Sequence, residues 1–447
     1  MRNTVRTETS IAHKDQAPSA WAGPFLTIWG GQAFSLVGSQ LVQFVLVWYL
    51  TATTGSATVL AFATLVALLP QIFLSPVAGA LVDRWNRRMV MMVADAGIAL
   101  ATVALAALFL IQAVQVWHIY LLMFIRAAGA AFHWPAMQAS TSLLVPERQL
   151  SRVAGLNQTL WGLAGIVAPP LGALLLGLLP MQGILAIDVG TAMLAIGPLV
   201  FIAIPNPERK HGSQALDEKA SVWADLRQGL RLVRRWPGLL MIIIIATLIN
   251  LLLVPAISLM PILVTEHFGG GALQLAWMEA AWGIGMVLGG VLIGVWGGFK
   301  RRMVTALVGL IVMGAALTAV GLLPSTAFML ALAAFFLGGA MNPIVNGSVF
   351  AALQASVPAD MQGRIFTLLL SGSAAMAPLS LAAAGPLADA FGVQIWFAVG
   401  GLLTVAMGVS SAFVPALLHF EEQGQKIAEQ NGAQAPSGGE SSALLPA

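Results

Sequence analysis

The sequence predicts an all-α integral membrane protein with about twelve transmembrane helices in two pseudo-symmetric six-helix halves. Hydrophobic residues make up 58% of the 447 residues and charged residues only 9%, whereas a soluble domain has about 25% charged residues. Apolar stretches of about 20 residues, the length that crosses a bilayer core as a helix, recur along the chain. Short sequence patterns also repeat between its first and second parts.

The predicted helices follow a polar leader at residues 1–24. The first apolar stretch has no small-residue cleavage site after it, which predicts a retained helix and not a removed signal peptide. The chain contains no cysteine, so disulfides and thiolate metal sites are excluded. The approximate bounds of the predicted spans are 25–50, 58–81, 89–112, 118–141, 153–179, 183–204, 239–265, 273–296, 303–323, 328–350, 367–388 and 393–418.

The distribution of basic residues predicts the orientation. Of the 21 lysines and arginines, all but Arg126 lie in the two termini or in the loops that alternate with them, and the six other loops carry none. Loops rich in Lys and Arg stay in the cytoplasm during insertion. Both termini are therefore predicted to be cytoplasmic, in a multi-pass protein of the plasma membrane (the inner membrane of a bacterial cell).

Two sequence patterns indicate a duplicated unit. Residues 145–152 and 357–364 share Val, Pro and Arg in register, and the pattern of residues 79–90 recurs at 290–304. The repeats predict an N-terminal half at 25–204 and a C-terminal half at 238–420 in the same orientation. Parallel repeats of this kind place a substrate site at their interface, near the middle of the membrane.

The segments outside the two halves are polar. The cytoplasmic linker, residues 205–237, is predicted to form an amphipathic helix on the anionic inner leaflet of the bilayer; the alternative is a solvated linker helix. The tail at 421–447, rich in Gly, Ser, Gln and Ala, is predicted to be disordered. The linker helix would present an apolar face with arginines beside it: Trp223, Leu226, Leu230, Val233, Arg227, Arg231, Arg234 and Arg235.

The loop after the second span resembles the signature of the major facilitator superfamily of secondary transporters. It reads Gly79-Ala80-Leu81-Val82-Asp83-Arg84-Trp85-Asn86-Arg87-Arg88. The resemblance covers residues 25–420. Residues 223–231 and 354–366 are similar to a branch of exporters that includes macrolide-efflux proteins and the enterobactin-type siderophore exporter. The Gly-Pro-x-x-Gly-Gly element of drug–proton antiporters is matched at residues 168–173 with alanine in place of two glycines.

The same loop is the predicted conformational switch. Its acid, Asp83, could dock against a cation or against the positive N-terminus of another helix. The resemblance implies that this contact forms in the outward-open state and breaks in the inward-open state. The alternative is a topological anchor, which accounts for the arginines but not for the acid or the glycine. The predicted switch residues are Gly79, Asp83, Arg84, Arg87 and Arg88.

Four ionisable residues lie inside predicted spans, where a charge is costly unless it is paired or solvated. Glu279 is the first candidate for carrying a proton or for contacting a cationic substrate; the alternative is a structural carboxyl. Arg126 is a candidate substrate contact or counter-ion, or else a brace within the N-terminal half. The resemblance implies that the spans of these two residues border the central cavity, and that those of Asp95 and Asp188 are peripheral.

Polar residues on other spans complete the predicted site. Gln32 and Gln43 lie on one face of the first span, Asn250 on the seventh and Asn342 on the tenth. They could line a water-filled cavity, or they could form hydrogen bonds between helices. His133 lies on the same face as Arg126 and is predicted to be a packed histidine.

The function predicted is that of a monomeric transporter and not of an enzyme. The chain has no Gly-Lys pair for a phosphate-binding loop, no metal-ligand spacing and no nucleophile–base set. The basic rim faces lipid headgroups, which does not indicate nucleic acid. The prediction is export of amphipathic small molecules (drug, macrolide-like or siderophore-like) by alternating access, without a cofactor and driven by the proton gradient. The alternatives are a lipid or lysolipid translocator, an importer, or a sensor or enzyme on a transporter scaffold.

Overall fold

The computed structural model describes residues 21–82, 84–204, 233, 236–357 and 359–422. Within these ranges the chain is helical and has no strand. Twelve helices are long and apolar enough to cross a membrane, which confirms the predicted fold class and makes the chain a multi-pass membrane protein. The leader, most of the linker, Asp83 and the tail after Glu422 lie outside the described residues, so the predictions made for them stay predictions.

The spanning helices are numbered in chain order. They are α1 Ala22–Thr54, α2 Ala57–Val82, α3 Arg87–Leu110, α4 Val116–Leu144, α5 Leu150–Leu178, α6 Met181–Phe201, α7 Pro237–Ser258, α8 Ala272–Trp296, α9 Arg302–Leu322, α10 Phe328–Ser356, α11 Ala359–Phe391 and α12 Val393–Ala412. Apolar helices satisfy their own backbone hydrogen bonds, as lipid requires.

The basic end of the molecule is the end that carries the arginine-containing loops, and the far end is the opposite one.

Local sequence explains where several helices begin and end. The side chain of Asn86 caps α3 by accepting a hydrogen bond from the backbone N–H of Met89, and Pro237 begins α7, a position where no N–H is needed. Gly55 after α1 and Gly297 after α8 have φ angles of 58° and 74°, the left-handed region that glycine adopts without strain.

Each half packs as its own bundle of six helices. In the N-terminal half α1 packs against α5 and α6, and α4 packs against α2 and α3; in the C-terminal half α9 packs against α10 and α12. The halves meet along two helix pairs, α2 with α11 and α5 with α8. The substrate site that the sequence repeat predicts would therefore lie between these two helix pairs.

The buried apolar residues show which end of the interface is closed. At the far end, one cluster joins Leu46 and Leu60 of the N-terminal half to Leu263 and Leu381 of the C-terminal half. At the basic end, the described residues form separate clusters, one around Trp236 in the C-terminal half and two in the N-terminal half. The halves are thus sealed together at the far end, and the described residues of the basic end form no apolar core that the two halves share.

Candidate functional site

A cavity of about 220 Å³ lies between the two halves. Ala164 and Gly165, which border it, stand at the midpoint of α5, so the cavity is near the middle of the membrane. Helices α1, α2 and α5 supply one wall, and α7, α8 and the short segment Met260–Ile262 supply the other. Its lining residues are Gln40, Gln43, Phe44, Val47, Thr64, Ala164, Gly165, Pro169, Ile257, Ser258, Pro261 and Glu279.

Glu279 is the one ionisable residue in this lining. It is the eighth residue of α8 and therefore lies about 10 Å along the helix axis from the far end. Among the described residues, none forms a hydrogen bond or an ion pair with its carboxylate. A carboxylate without a partner in apolar surroundings is strongly disfavoured unless water, a proton or a cation reaches it.

The remaining lining is amphipathic. Phe44, Val47, Ile257 and two prolines form apolar walls, and Gln40 and Gln43 contribute two side-chain amides. The hydroxyls of Thr64 and Ser258 donate to carbonyls of their own helices, which leaves their oxygens free to accept. The cavity therefore combines apolar walls with a few hydrogen-bonding groups and one carboxyl group.

The degenerate antiporter element shapes one side of the cavity. Pro169 lines it, and Gly172 on α5 packs against α1 so closely that a Cβ atom there would lie 2.7 Å from the Phe44 ring. The glycine retained in the element thus allows α1 and α5 to approach each other. Ala168, which replaces a family glycine, is buried at this contact.

Arg126 belongs to a buried ion pair inside the N-terminal half. Its guanidinium lies 2.6 Å from the carboxylate of Asp188 on α6 and donates to the backbone carbonyl of Ser39 on α1 at 3.1 Å. Thr102 on α3 donates to the same carboxylate at 3.3 Å. Arg126 and Asp188 are 8% and 3% exposed, and neither lines the cavity, so in this conformation the pair braces four helices.

Asp95 forms a second polar contact in the same half, closer to the basic end. The Gln32 amide donates to its carboxylate at 3.2 Å, and Nε2 of His133 lies 3.5 Å from its other oxygen. Gln32 and Asp95 are both buried. The structure therefore places Gln32 in a contact between α1 and α3, and Gln43 at the cavity, although both lie on one face of α1.

The two asparagines of the predicted site bond within their own helices. Asn250 donates to the backbone carbonyl of Ala246 at 3.0 Å, and the side chain of Asn342 accepts from Asn346 at 3.2 Å. Neither residue is in the lining of the cavity between the halves. Gln40 and Ser258 line the cavity but are not among the residues predicted for the site; the spacing of Gln40 and Gln43, three residues apart on α1, is the sequence signal for Gln40.

Two arginines of the predicted switch bind backbone carbonyls of neighbouring helices. Arg87 donates to the carbonyl of Ala139 on α4 at 2.8 Å, and Arg88 donates to the carbonyls of Leu199 and Val200 in the last turn of α6. The contacts of Arg88 lie at a helix C-terminus, where carbonyls lack partners within the helix and a cation is favoured. Gly79 lies in the last turn of α2 and Arg84 is exposed. Their acidic companion, Asp83, lies outside the described residues.

No group of three or more His, Asp or Glu side chains within the described ranges could hold a metal ion. The cavity offers apolar walls, side-chain amides and hydroxyls, and one carboxyl group. A bound molecule could enter from only one end while the far end is sealed by the apolar cluster.

Comparison with known proteins agrees with these features. Residues 28–376 match the family described as the Major Facilitator Superfamily. Macrolide efflux protein A of Streptococcus pyogenes is 33% identical over 87% of this chain and 95% of its own length. The multidrug efflux pump Tap of Mycolicibacterium fortuitum is 28% identical over 89% of this chain and 97% of its own.

A solved structure shows the same fold. The bacterial homologue of the human lysosomal transporter Spinster superposes with a TM-score of 0.66, at 15% identity, over 93% of this chain and 99% of its own. This similarity confirms the arrangement of the helices.

Proposed function

Since the chain belongs to the Major Facilitator Superfamily, we propose that it is a secondary active exporter that moves amphipathic small molecules by alternating access. The observation that carries the proposal is the cavity between the halves, which has apolar walls and a single unpaired carboxylate. The names of its relatives, macrolide efflux protein A and multidrug efflux pump Tap, favour export over import.

The conformation, with its far end closed, is the one in which an exporter would bind its substrate. The apolar cluster seals the far end of the interface, whereas the two halves share no such cluster among the residues described at the basic end. The excess of Lys and Arg in the loops of the basic end supports a cytoplasmic orientation for it. An exporter in this state would take up its substrate from the cytoplasm or from the inner leaflet.

The size of the cavity limits what it can hold without rearrangement. Pockets for drug-sized ligands usually enclose about 300–1,000 Å³, and this cavity encloses about 220 Å³. A macrolide-sized substrate would therefore require the halves to separate further. The flexible lining of Gln40, Gln43 and Phe44 can adapt in that process, because each side chain has alternative rotamers.

Glu279 is our candidate for coupling export to the proton gradient. Its carboxyl is unpaired and lies between the halves, so opening the cavity to one side or the other would change its access to water. Burial favours the neutral form of a carboxyl and solvation favours the charged form. The same carboxylate could instead bind a cationic substrate. In either role, the mechanism depends on Glu279.

The test is export from cells that lack their own pumps. We expect the chain to lower accumulation of macrolides and of apolar cationic dyes, and an uncoupler that dissipates the proton gradient to abolish this effect. Glu279→Gln should abolish gradient-driven export while binding of an uncharged substrate to the purified protein remains measurable.

The matched control is Glu147→Gln, since Glu147 is an exposed acid at the basic end and its substitution should leave export unchanged. Undiminished gradient-driven export by Glu279→Gln would remove Glu279 from the coupling mechanism. Accumulation equal to that of cells without the protein, for every compound tested, would overturn the proposed export.

A further inference from the structure

At the far end, a carboxylate of one half binds the start of a helix of the other half. Asp389, in the last turn of α11, accepts hydrogen bonds from the backbone N–H groups of Ala57 and Thr58 at 2.6 and 3.0 Å. It also accepts from the hydroxyl of Ser56 at 3.0 Å. Ala57 and Thr58 are the first two residues of α2, where backbone N–H groups have no partner within the helix.

This contact is an N-terminal cap supplied by a different half of the molecule. A side-chain oxygen usually caps the helix that follows it directly in sequence, but Asp389 and Ala57 are separated by most of the chain. The negative carboxylate also interacts favourably with the positive end of the helix dipole, and charge-assisted hydrogen bonds are about twice as strong as neutral ones. The loops of the far end contain no lysine or arginine, so the start of α2 takes the place of a cationic side chain.

The backbones of the same two helices touch one turn earlier on α11. A Cβ atom on Gly385 would lie 2.7 Å from the Cα atom of Thr58 and 3.1 Å from the Cβ atom of Ala61. Only glycine permits this approach, because no real Cβ atom is found so close to a Cα atom. Leu60, Leu381 and Ala384 are buried around the contact. The far end is therefore closed by backbone packing and by the carboxylate together.

We propose that Asp389 is a gating residue of the transport cycle, whose carboxylate holds the far end closed by capping α2 and releases it when the cavity opens to that side. The proposal rests on the proposed alternating access, because the far end must open for a substrate to leave there. The contact crosses from the N-terminal to the C-terminal half, so the halves cannot separate at this end while it persists. Asp389 is exposed, and on release its charge would face water, so that breaking the contact does not strand a charge in lipid.

The absence of cysteine from the sequence allows a direct test. Ser258→Cys, a near-isosteric change at the cavity lining, introduces the sole thiol into the full chain. Intact cells and inverted membrane vesicles present opposite faces of the protein to a membrane-impermeant maleimide. We expect the Ser258→Cys protein to react from the basic side and to be protected from the far side. Equal reaction from the far side would show that this end is not closed and would overturn the proposal.

Asp389→Ala in this background should increase the rate of labelling from the far side by roughly tenfold or more, the change in population that a lost charge-assisted contact gives. Gly385→Ala should act in the same direction without any change of charge, because its methyl group would push α11 away from α2. Asp389→Asn keeps one acceptor oxygen but loses the charge, and should fall between Asp389→Ala and the Ser258→Cys parent.

The matched control is Gly372→Ala on the same helix, where a Cβ atom would meet nothing closer than the Thr247 hydroxyl at 3.9 Å; it should label like the parent. An unchanged thermal unfolding midpoint and a single peak in size-exclusion chromatography show that each purified variant is folded, and reaction with a membrane-permeant maleimide shows that its thiol is reactive. If Asp389→Ala is folded and remains protected from the far side, Asp389 only caps a helix and the gating role is overturned. Should Asp389→Ala not fold, the same outcome for Asp389→Asn and Gly385→Ala would overturn it.

The labelling needs neither a substrate nor a proton gradient, so it fails or succeeds independently of the export assay. Opening by Asp389→Ala in a protein that exports nothing would support the gate and refute the exporter. Normal export together with protection from the far side in all variants would refute the gate alone.

Discussion

The four intramembrane charges differ in what surrounds them. Arg126 and Asp188 neutralise each other at 2.6 Å, and Asp95 accepts a hydrogen bond from Gln32. Glu279 alone faces the cavity, and no described residue pairs with it. A charge within a membrane is costly unless it is paired or solvated. In this conformation the first three residues have polar partners within the N-terminal half, whereas Glu279 is the residue for which we propose coupling.

The Arg126–Asp188 pair predicts a stability difference. Removing one partner leaves an uncompensated buried charge, so Arg126→Met should destabilise the purified protein by about 3–5 kcal/mol. Arg126→Met combined with Asp188→Leu should recover most of this loss, because no charge is then stranded. Thermal unfolding midpoints of the four proteins measure the coupling.

The control for that comparison is the exposed ion pair of Arg302 and Glu421 at the basic end, at 3.2 Å. Its disruption by Arg302→Gln should change stability by about 1 kcal/mol or less. A double variant as unstable as the sum of its two single variants would show that the buried residues do not stabilise each other.

The cavity amides predict an effect on affinity. Gln43→Ala removes one hydrogen-bonding group from the lining and should weaken substrate binding by roughly two- to tenfold, since a hydrogen bond contributes about 0.5–1.5 kcal/mol. Asn250→Ala is the control, because the amide of Asn250 bonds to its own helix outside the lining. Titration of the purified variants with a fluorescent substrate measures both, and equal affinities for the two variants would exclude Gln43 from the site.

The sequence pattern places residues on spans but does not give their partners. The depth of Glu279 and the polar face of α1 follow from helix periodicity and are visible in the sequence. Whether Gln32 binds Asp95 or faces water depends on the rotation of α1 against α3, which no local pattern fixes. Asp389 was missed for a similar reason, because its partner is the backbone of a helix in the other half.

At the level of helices, the sequence predicts the apolar spans well, because lipid permits few alternatives to a helix. A backbone in the bilayer must bond to itself, so an apolar stretch of sufficient length forms a helix. The seventh span differs from the prediction of one helix at 239–265. Helix α7 ends at Ser258, and a short helix and a single π-helical turn, Leu263–His267, follow it. Pro261 has no N–H to continue the α-helical bonding.

Close packing of α8 against α10 depends on glycine. A Cβ atom on Gly289 would lie 2.0 Å from the carbonyl oxygen of Ala340, whereas one on Gly294 of the same helix would meet nothing within 4 Å. We expect Gly289→Ala to destabilise the protein by about 1–3 kcal/mol, the usual effect of overpacking. Gly294→Ala should leave the thermal unfolding midpoint unchanged or raise it, because alanine is the better helix former. Equal midpoints for the two variants would contradict this packing.

Across the whole molecule, helix α2 has an acid at each of its ends. The start of α2 at the far end is capped by Asp389 of α11, and Asp83 directly follows its last residue, Val82, at the basic end. The resemblance of the Asp83 loop to its family implies a contact made in the outward-open state, whereas the Asp389 contact is present with the far end closed. The two acids would therefore stabilise opposite states of one transporter.

If Asp83 and Asp389 stabilise opposite states, substitutions of the two acids should compensate each other. Asp83→Asn should shift the protein towards the state with the far end closed, and Asp389→Ala towards the state with the far end open. Asp389 caps the first residues of a 26-residue helix, which is about 40 Å long, and Asp83 follows its last residue in sequence, so their effects on the free energy between the states should add. The double variant should then lie close to the original equilibrium. Spin-label distances across the basic end measure the populations, and a double variant that resembles either single variant would show that the two contacts do not act on the same equilibrium.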